Sequence, residues 1–206
     1  MYIPEFNRVE DREAWLAFMR ANPFAILIST VDRSPYATHL PLAIKEADGE
    51  VRLRGHVARA NPHWKSLEPA AESLVIFHGP HVYISPALYE ARESVPTWNY
   101  AAVHVYGRAR IVDEKEAREI LEELIAEFDS SYAAQWASLG EDYRSRMVRH
   151  IVAFEMVADR IEAKFKLSQN RTRTEQANII EALAGSGDSS ASGIAALMKQ
   201  QGLGRR

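Results

Sequence analysis

The alternation of apolar and polar residues predicts a chain rich in β-strands from residue 24 onward. Residues 24–31 have the sequence FAILISTV, an apolar and partly β-branched run that is typical of a buried strand. Residues 32–35 predict a turn, residues 36–44 a returning strand, and Asp48-Gly49 a hairpin into a strand over 51–57. Strands joined by short turns indicate an antiparallel meander rather than alternating strands and helices.

The same patterns predict further strands and several helices. Apolar residues at helical spacing predict helices over 10–21, 114–128 (with Asp113 as N-cap), 141–149 and 174–184, and Asn61-Pro62 predicts the start of a short helix. Strands are expected over 72–77, 81–85, 97–112 (as one or two strands) and 150–167, with a turn at 78–80 and a polar loop over 86–96. This order of strands favours a small closed β-barrel with helices at its margins.

Composition narrows the classes of function. The chain has 206 residues, of which 47% are hydrophobic and 26% are charged, as in ordinary globular proteins. The absence of cysteine excludes disulfides, thiolate zinc sites, iron–sulfur clusters and a cysteine nucleophile. The net charge of −3 differs from that of a dedicated basic nucleic-acid-binding domain. The sequence shows neither a signal peptide nor a run of about 18 apolar residues, so we expect a cytoplasmic protein without a membrane span.

Several motifs that mark nucleotide and hydrolase chemistry are absent. The chain lacks the P-loop, the glycine-rich dinucleotide fingerprint, the nucleophile elbow and the H-E-x-x-H zinc motif. These absences weaken nucleotide hydrolysis, Rossmann dehydrogenase and serine hydrolase functions. His78 and His81 flank a Gly-Pro pair with no carboxylate beside them, so we expect no metal site. A histidine could still ligate haem.

The densest polar cluster is RGHVARANPHWK, residues 54–65, where a strand gives way to a helix. Free amides at a helix start attract anions, and Arg54, Arg59 and Lys65 add positive charge. Gly55 would let a ligand approach the backbone. These features predict a phosphate site, and the alternative is a strand end with surface basic residues beside an ordinary capped helix.

Two other clusters could contact a ligand. In residues 96–100, PTWNY, a Trp and a Tyr flank an amide, which suits a stacked aromatic ligand, although they could instead belong to the barrel core or a subunit interface. Residues 164–173 contain four basic residues and no acidic one. That composition suits contact with phosphate or nucleic acid, and the alternative is a solvated strand edge.

The segments MYIPEFN, ATHLPL, GHVARANPHW, VYISP, VPTWNYAAVHVYG and KFKLSQNR occur in this order. Over about residues 1–184 they resemble the PaiB-type family, whose members are described as FMN-binding negative transcriptional regulators. The resemblance implies a mainly β fold with flanking helices (α+β), an FMN-binding split β-barrel like that of pyridoxamine phosphate oxidases and flavin reductases. It also implies a homodimer that holds FMN in a groove between its subunits.

The expected organisation is a split-barrel flavin-binding domain over 1–167 and a C-terminal helical extension over 168–206. Within that extension, residues 185–193 (GSGDSSASG) predict a flexible linker before a last helical turn or two over 194–200.

The resemblance also implies which residues hold the cofactor. The strand–helix junction, together with Thr38 or His39, would bind the FMN phosphate. Trp98 and Asn99 would contact the isoalloxazine ring. Related oxidases often have a hydroxyl residue and a Lys or Arg where this chain has ARAN, so Arg59 and Asn61 would substitute for them. The full candidate set is Thr38, His39, Arg54, Gly55, His56, Val57, Ala58, Arg59, Asn61, Trp98, Asn99, Lys166, Ser168, Gln169 and Asn170, the last four contributed from either subunit.

Three functions follow from this resemblance. The first is a negative transcriptional regulator that binds FMN and acts through DNA or a protein partner. The alternative is an FMN-dependent oxidoreductase, a flavin reductase or an enzyme like pyridoxamine phosphate oxidase. For that function His39, His56 and Tyr100 are candidates only by position, and enzyme activity stays open. The third function is haem binding or degradation, which related split barrels also perform.

Overall fold

Seven strands form one antiparallel sheet, and their bounds follow the apolar runs of the sequence. The computed structural model describes residues 1–68 and 71–205. The strands are β1 (Phe24–Val31), β2 (Ser34–Pro41), β3 (Ala43–Ala47), β4 (Glu50–Ala58), β5 (Glu72–Ile84), β6 (Thr97–Ile111) and β7 (Ile151–Lys166). Their order across the sheet is β2-β1-β5-β6-β7-β4-β3. The predicted α+β class, with flanking helices, is confirmed, and closure into a barrel stays a prediction.

Helices flank the strands. They are α1 (Arg12–Ala21), α2 (Glu114–Phe128), α3 (Ser130–Ser138), α4 (Glu141–Arg149), α5 (Arg173–Ala184) and α6 (Ser189–Gln200). Asp113 caps α2 as predicted, since its Oδ1 accepts a hydrogen bond from the amide of Glu116 at 2.9 Å. Among the helices of the described residues, none is long and apolar enough to cross a membrane.

Both predicted hairpins use left-handed backbone at the turn. Asp32 and Arg33 have φ of 49° and 64°, so the first turn is tighter than expected and β2 begins at Ser34. Asp48 and Gly49 form the second turn with φ of 56° and 81°. Two consecutive positive φ values are the pattern of the turn that matches the twist of paired strands.

Four elements differ from the predictions. The strand predicted over 36–44 is interrupted at Leu42, so that β2 ends at Pro41 and β3 begins at Ala43. The predicted turn at residues 78–80 is wrong, because β5 runs unbroken from Glu72 to Ile84. Since proline disfavours helical conformations in the preceding residue, Gly79-Pro80 is compatible with an extended strand. Helix α3 was not predicted. Helix α6 begins at Ser189 with Asp188 as its N-cap, so the second half of the predicted linker is helical.

The chain divides into two compact units. Unit one contains Met1–Phe18, His78–Val103 and the residues from Glu162 onward, and unit two contains Met19–Phe77 and His104–Ile161. Strands β5, β6 and β7 each contribute residues to both units. The expected domain over 1–167 with an extension over 168–206 stays a prediction.

Unit two packs α2 and α4 against β3 and β7. The buried apolar residues of this cluster are Ala43, Ala117, Ile120, Leu124, Val148 and Ala153. The apolar stripe that predicted α2 is therefore its packed face at Ile120 and Leu124, whereas Phe128 at the end of the helix is 45% exposed.

We expect Gly107→Ala in β6 to lower the free energy of unfolding by about 3 kcal/mol, the upper part of the range for overpacking. A Cβ at Gly107 would lie 2.0 Å from the carbonyl oxygen of Val157, a backbone atom that has no rotamer to adopt. Gly140→Ala is the control, because nothing described lies within 4 Å of its Cβ position. Urea denaturation measures both, and equal losses would contradict the steric explanation.

Candidate functional site

The strand–helix junction, where the phosphate site was expected, lies in unit two. Strand β4 ends at Ala58, and a 3₁₀ helix runs over Pro62–Ser66. Asn61 caps this helix as predicted, its Oδ1 accepting a hydrogen bond from the amide of His63 at 3.0 Å. A 3₁₀ helix of five residues has only a small dipole and few free amides, so its start contributes little to anion binding.

Arg54 of the junction is held in a cluster of charges. Its Nη1 donates to Glu123 at 2.7 Å, and its Nε lies 3.3 Å from a carboxylate oxygen of Glu155. The Glu155 side chain is only 7% exposed and also contacts Arg52 at 3.3 Å and Arg110 at 3.0 Å. A buried carboxylate needs such partners to offset its loss of hydration. The charge of Arg54 is therefore already neutralised within the protein.

The guanidinium of Arg59 is bound to backbone. Its Nε donates to the carbonyl oxygen of Arg149 at 2.7 Å, and its Nη2 donates to that of Ile151 at 2.9 Å. The pocket that Arg59 lines has a volume of ≈ 150 Å³, and Asp113 and Glu114 also line it. These contacts fasten the end of β4 to the start of β7, and the nearby carboxylates disfavour a phosphate.

The remaining junction residues face the protein interior or solvent. A Cβ on Gly55 would lie 2.5 Å from Cδ2 of Leu42, so the missing side chain gives room for Leu42. Val57 is buried and Ala58 is exposed. Burial lowers the pKa of His56, which keeps this imidazole neutral at physiological pH.

Thr38 and Asn61 belong to a polar cluster with a buried histidine. Thr38 Oγ1 accepts from Asn61 Nδ2 at 3.1 Å and lies 2.8 Å from Nδ1 of His63. Burial lowers the pKa of His63, so the imidazole is neutral and only one of its two ring nitrogens carries a hydrogen. Tyr36 lies edge-on to the His63 ring. His63 and Tyr36 were not in the candidate set, and the candidate His39 is exposed outside this cluster.

A second candidate region is a pocket of ≈ 290 Å³ in unit one, named here the basic pocket. It is lined by Tyr2, Pro4, Phe6, Asn7, Val95, Pro96, Thr97, Asn99, Lys164, Lys166, Ser168, Asn170 and Arg171. Three of these residues are cationic, and none of the described lining residues is acidic. Its positive field is thus not cancelled at the wall, which favours an anionic ligand.

Two of the three cations that line the basic pocket are lysines at the end of β7. Lys164 is 7% exposed, and its Nζ donates to the carbonyl oxygen of Tyr2 at 3.0 Å. Lys166 Nζ donates to the carbonyl oxygen of Trp98 at 2.8 Å and to Thr97 Oγ1. Burial, and then the charge of Lys164, lower the pKa of Lys166. An anion placed between these ammonium groups would offset both the desolvation of Lys166 and its repulsion by Lys164.

Asn99 and Ser168 hold the polar wall of the pocket. Asn99 is fully buried, and its side-chain amide pairs with Ser168 Oγ through contacts of 3.0 and 3.1 Å. Asn7, only 2% exposed, lines the same pocket with its Oδ1 lacking a hydrogen-bond partner among the described residues. A buried acceptor without a partner is costly, and a ligand N–H or O–H would remove that cost.

Trp98 and Asn99 were expected to meet the same ring, but one copy of the chain does not place them in one pocket. Neighbouring residues of a strand point to opposite faces. Asn99 is buried in the wall of the basic pocket, whereas Trp98 is 53% exposed. The Trp98 ring lies 6.1 Å from the rings of both His81 and Tyr83.

The last two candidates differ in orientation. Gln169 turns to the backbone, since its Oε1 accepts from the amide of Leu167 at 2.7 Å and its Nε2 donates to the carbonyl of Phe165. Asn170 lines the basic pocket, and its contact with a cofactor stays a prediction. Lys164 and Arg171 also line the pocket. They belong to the basic run over 164–173, but the candidate set does not include them. No sequence signal links Tyr2 and Asn7 to this run, because 157 or more residues separate them.

The chain matches a protein family and a known relative. A family model described as "Putative FMN-binding domain" matches residues 1–160. The chain is 36% identical over 203 residues to "Protease synthase and sporulation protein PAI 2" of Bacillus subtilis strain 168, covering 98% of each chain.

Solved structures share the fold. The FAD and haem binding protein from Mycobacterium smegmatis has a TM-score of 0.61 at 14% identity, covering 78% of this chain and 73% of that one. The flavocytochrome Anf3 from Azotobacter vinelandii has a TM-score of 0.61 at 17% identity, covering 80% and 72%. These neighbours are flavin-binding split barrels, and at such identities they show the fold alone.

We expect Glu155→Gln to lower the free energy of unfolding by about 2–3 kcal/mol, less than for a fully buried pair because two of the three arginines are substantially exposed. The substitution removes the carboxylate that three arginines share. Asp159→Asn, which breaks an exposed pair with Arg108, should cost less than about 1 kcal/mol. Urea denaturation at low and high salt compares them, and a similar loss in both variants would argue against the buried cluster.

Proposed function

Because the chain belongs to the family of FMN-binding domains that matches residues 1–160, we propose that it is a regulatory flavoprotein whose basic pocket binds the anionic part of FMN. Family membership confirms the predicted family and flavin as the predicted cofactor. The residues that hold the cofactor, the second subunit and the regulatory role are parts of this proposal.

The observation that carries this proposal is a pair of lysines in a pocket wall without a carboxylate. FMN has a phosphate that is doubly charged near neutral pH, and charge-assisted hydrogen bonds are the strong interactions available to it. Lys164, Lys166 and Arg171 line the basic pocket. By contrast, Arg54 is paired with two carboxylates, and Arg59 donates to two backbone carbonyls.

Other features of the basic pocket suit the rest of the cofactor. The unpartnered Oδ1 of Asn7 can accept from a ribityl hydroxyl or a ring N–H. Tyr2 and Phe6 are 83% and 56% exposed at the pocket, and aromatic rings stack favourably on a flavin. Bound FMN supplies electron and hydride transfer, while these side chains bind and orient it.

A second copy of the chain is part of the proposal. The pocket volume of ≈ 290 Å³ lies just below the range of about 300–1,000 Å³ for small-molecule sites, so one copy would enclose only part of an FMN. Tyr2, Phe6 and Val95, which line the pocket, remain more than half exposed. Exposed apolar side chains around a pocket are typical of an interaction surface. A homodimer that covers them would complete the site.

The regulatory role is proposed from the relative of Bacillus subtilis, whose printed name refers to protease synthase and sporulation. It is tested in the host of this protein by comparing transcripts of a deletion strain with those of a Lys166→Met strain. The proposal expects both strains to change the same transcripts. Oxidation of NAD(P)H by the FMN-loaded protein would support the alternative, an FMN-dependent oxidoreductase.

We expect Lys166→Met to weaken FMN binding by roughly 10- to 100-fold, because one charge-assisted hydrogen bond contributes about 1.5–3 kcal/mol. Quenching of FMN fluorescence by the purified protein gives the Kd. Lys115→Met is the matched control, since Lys115 is exposed on α2.

A parallel Arg59→Ala variant tests the junction. The proposal expects its Kd to be near that of the wild-type protein. Loss of affinity in Arg59→Ala with no change in Lys166→Met would move the phosphate to the junction and overturn the proposed site.

A further inference from the structure

We propose that residues 201–205 control the shape of the basic pocket, and that Gln176 is the positioning residue through which they do so. The inference rests on the proposed function and adds a regulatory contact to it. Gln176 lies on α5, is only 6% exposed, and does not line the pocket itself. Its side chain connects the pocket loop, residues 168–171, to the 201–205 segment.

The side-chain amide of Gln176 holds the pocket loop through the backbone carbonyls of the loop. Gln176 Nε2 donates to the carbonyl oxygens of Arg171, Ser168 and Gln169 at 3.0, 3.3 and 3.4 Å. Its Oε1 accepts from the backbone amide of Gly204 at 3.0 Å. The orientation of the amide is unambiguous, because three carbonyls can only accept and a backbone N–H can only donate.

The pocket loop requires such support. Ser168 has a φ of 62°, a left-handed conformation that is unfavourable for a residue other than glycine. Asn99 holds the Ser168 side chain, while Gln176 holds the carbonyls of the loop. Because Ser168, Asn170 and Arg171 all line the basic pocket, a change in the loop backbone moves three of its wall residues.

Gly204 brings the 201–205 segment close enough to reach Gln176. Its φ is 69°, and a Cβ there would lie 3.0 Å from Cδ1 of Ile180 and 3.2 Å from the amide nitrogen of Ala177. Only a glycine fits this approach to α5 without displacement. A shift of the segment would leave the buried Oε1 of Gln176 without a donor, and its amide would no longer be fixed toward the loop.

The consequence is a coupling between two regions of unit one. When residues 201–205 lie on α5, Gln176 holds the pocket loop in the conformation that binds an anion. When they leave, the loop relaxes and affinity falls. A partner or modification that displaces the segment would therefore release FMN, and bound FMN would in turn hold the segment in place, since coupling between sites is reciprocal.

Gly204→Ala tests this coupling, with Gly187→Ala as the matched control. Both glycines have left-handed backbone, with φ of 69° and 73°, but nothing described lies within 4 Å of the Cβ position of Gly187. We expect Gly204→Ala to weaken FMN binding by roughly 2- to 10-fold, the effect of one hydrogen bond. Amide hydrogen exchange over 168–172 should accelerate in the FMN-free variant, whereas Gly187→Ala should change neither measurement.

A second variant, Gln176→Met, removes the amide from the same position. It should reproduce both effects of Gly204→Ala, and the double variant should add little, because the two substitutions break one linkage. A residue with a merely structural role would lower the melting temperature without changing the Kd of the folded protein or the exchange of this loop.

The outcomes separate the two proposals. If Lys166→Met weakens FMN binding while Gly204→Ala and Gln176→Met leave both affinity and exchange at wild-type values, the coupling is wrong and the proposed site stands. If Lys166→Met has no effect, the proposed site is wrong. Exchange in the FMN-free protein then decides whether the 201–205 segment controls the loop.

Discussion

The burial of the Glu155 carboxylate is the constraint on which the distribution of charge in unit two depends. A carboxylate that is 7% exposed is stable only if cations surround it, and Arg52, Arg54 and Arg110 supply them from neighbouring parts of the sheet. Arg110 also lowers the pKa of Glu116 on α2 through a hydrogen bond. These arginines, which the sequence alone does not exclude from binding an anionic ligand, are therefore part of the structural framework.

Unit one has the opposite arrangement of charge. Lys164 and Lys166 are brought together by the two-residue period of β7, and no acidic residue among the described pocket wall neutralises them. Desolvation and the repulsion from Lys164 disfavour the charged form of Lys166, as its lowered pKa indicates. An anionic ligand would offset that penalty, so part of its binding free energy would come from relief of repulsion within the protein.

The contacts of Gln176 hold the backbone of the pocket loop. A pocket loop that contains a left-handed serine keeps its shape only while its carbonyls and side chain are held. Because the holding amide also binds the backbone of Gly204, the shape of the pocket depends on a segment that does not line it. The family match ends at residue 160, so the lysines, the loop and Gln176 all lie beyond it.

The sequence by itself determined most of the secondary structure, since apolar periodicity, the Asp48-Gly49 turn and the caps Asp113 and Asn61 act over a few residues. It also indicated that residues 164–173 are basic. Tertiary structure decided which cations remain for a ligand, because the two carboxylates that pair with Arg54 lie 69 and 101 positions away. It also placed Tyr2 and Asn7 beside Lys164 and directed Trp98 and Asn99 to opposite faces of β6. Local patterns encode conformation, whereas partners distant in the chain meet only once the sheet has formed.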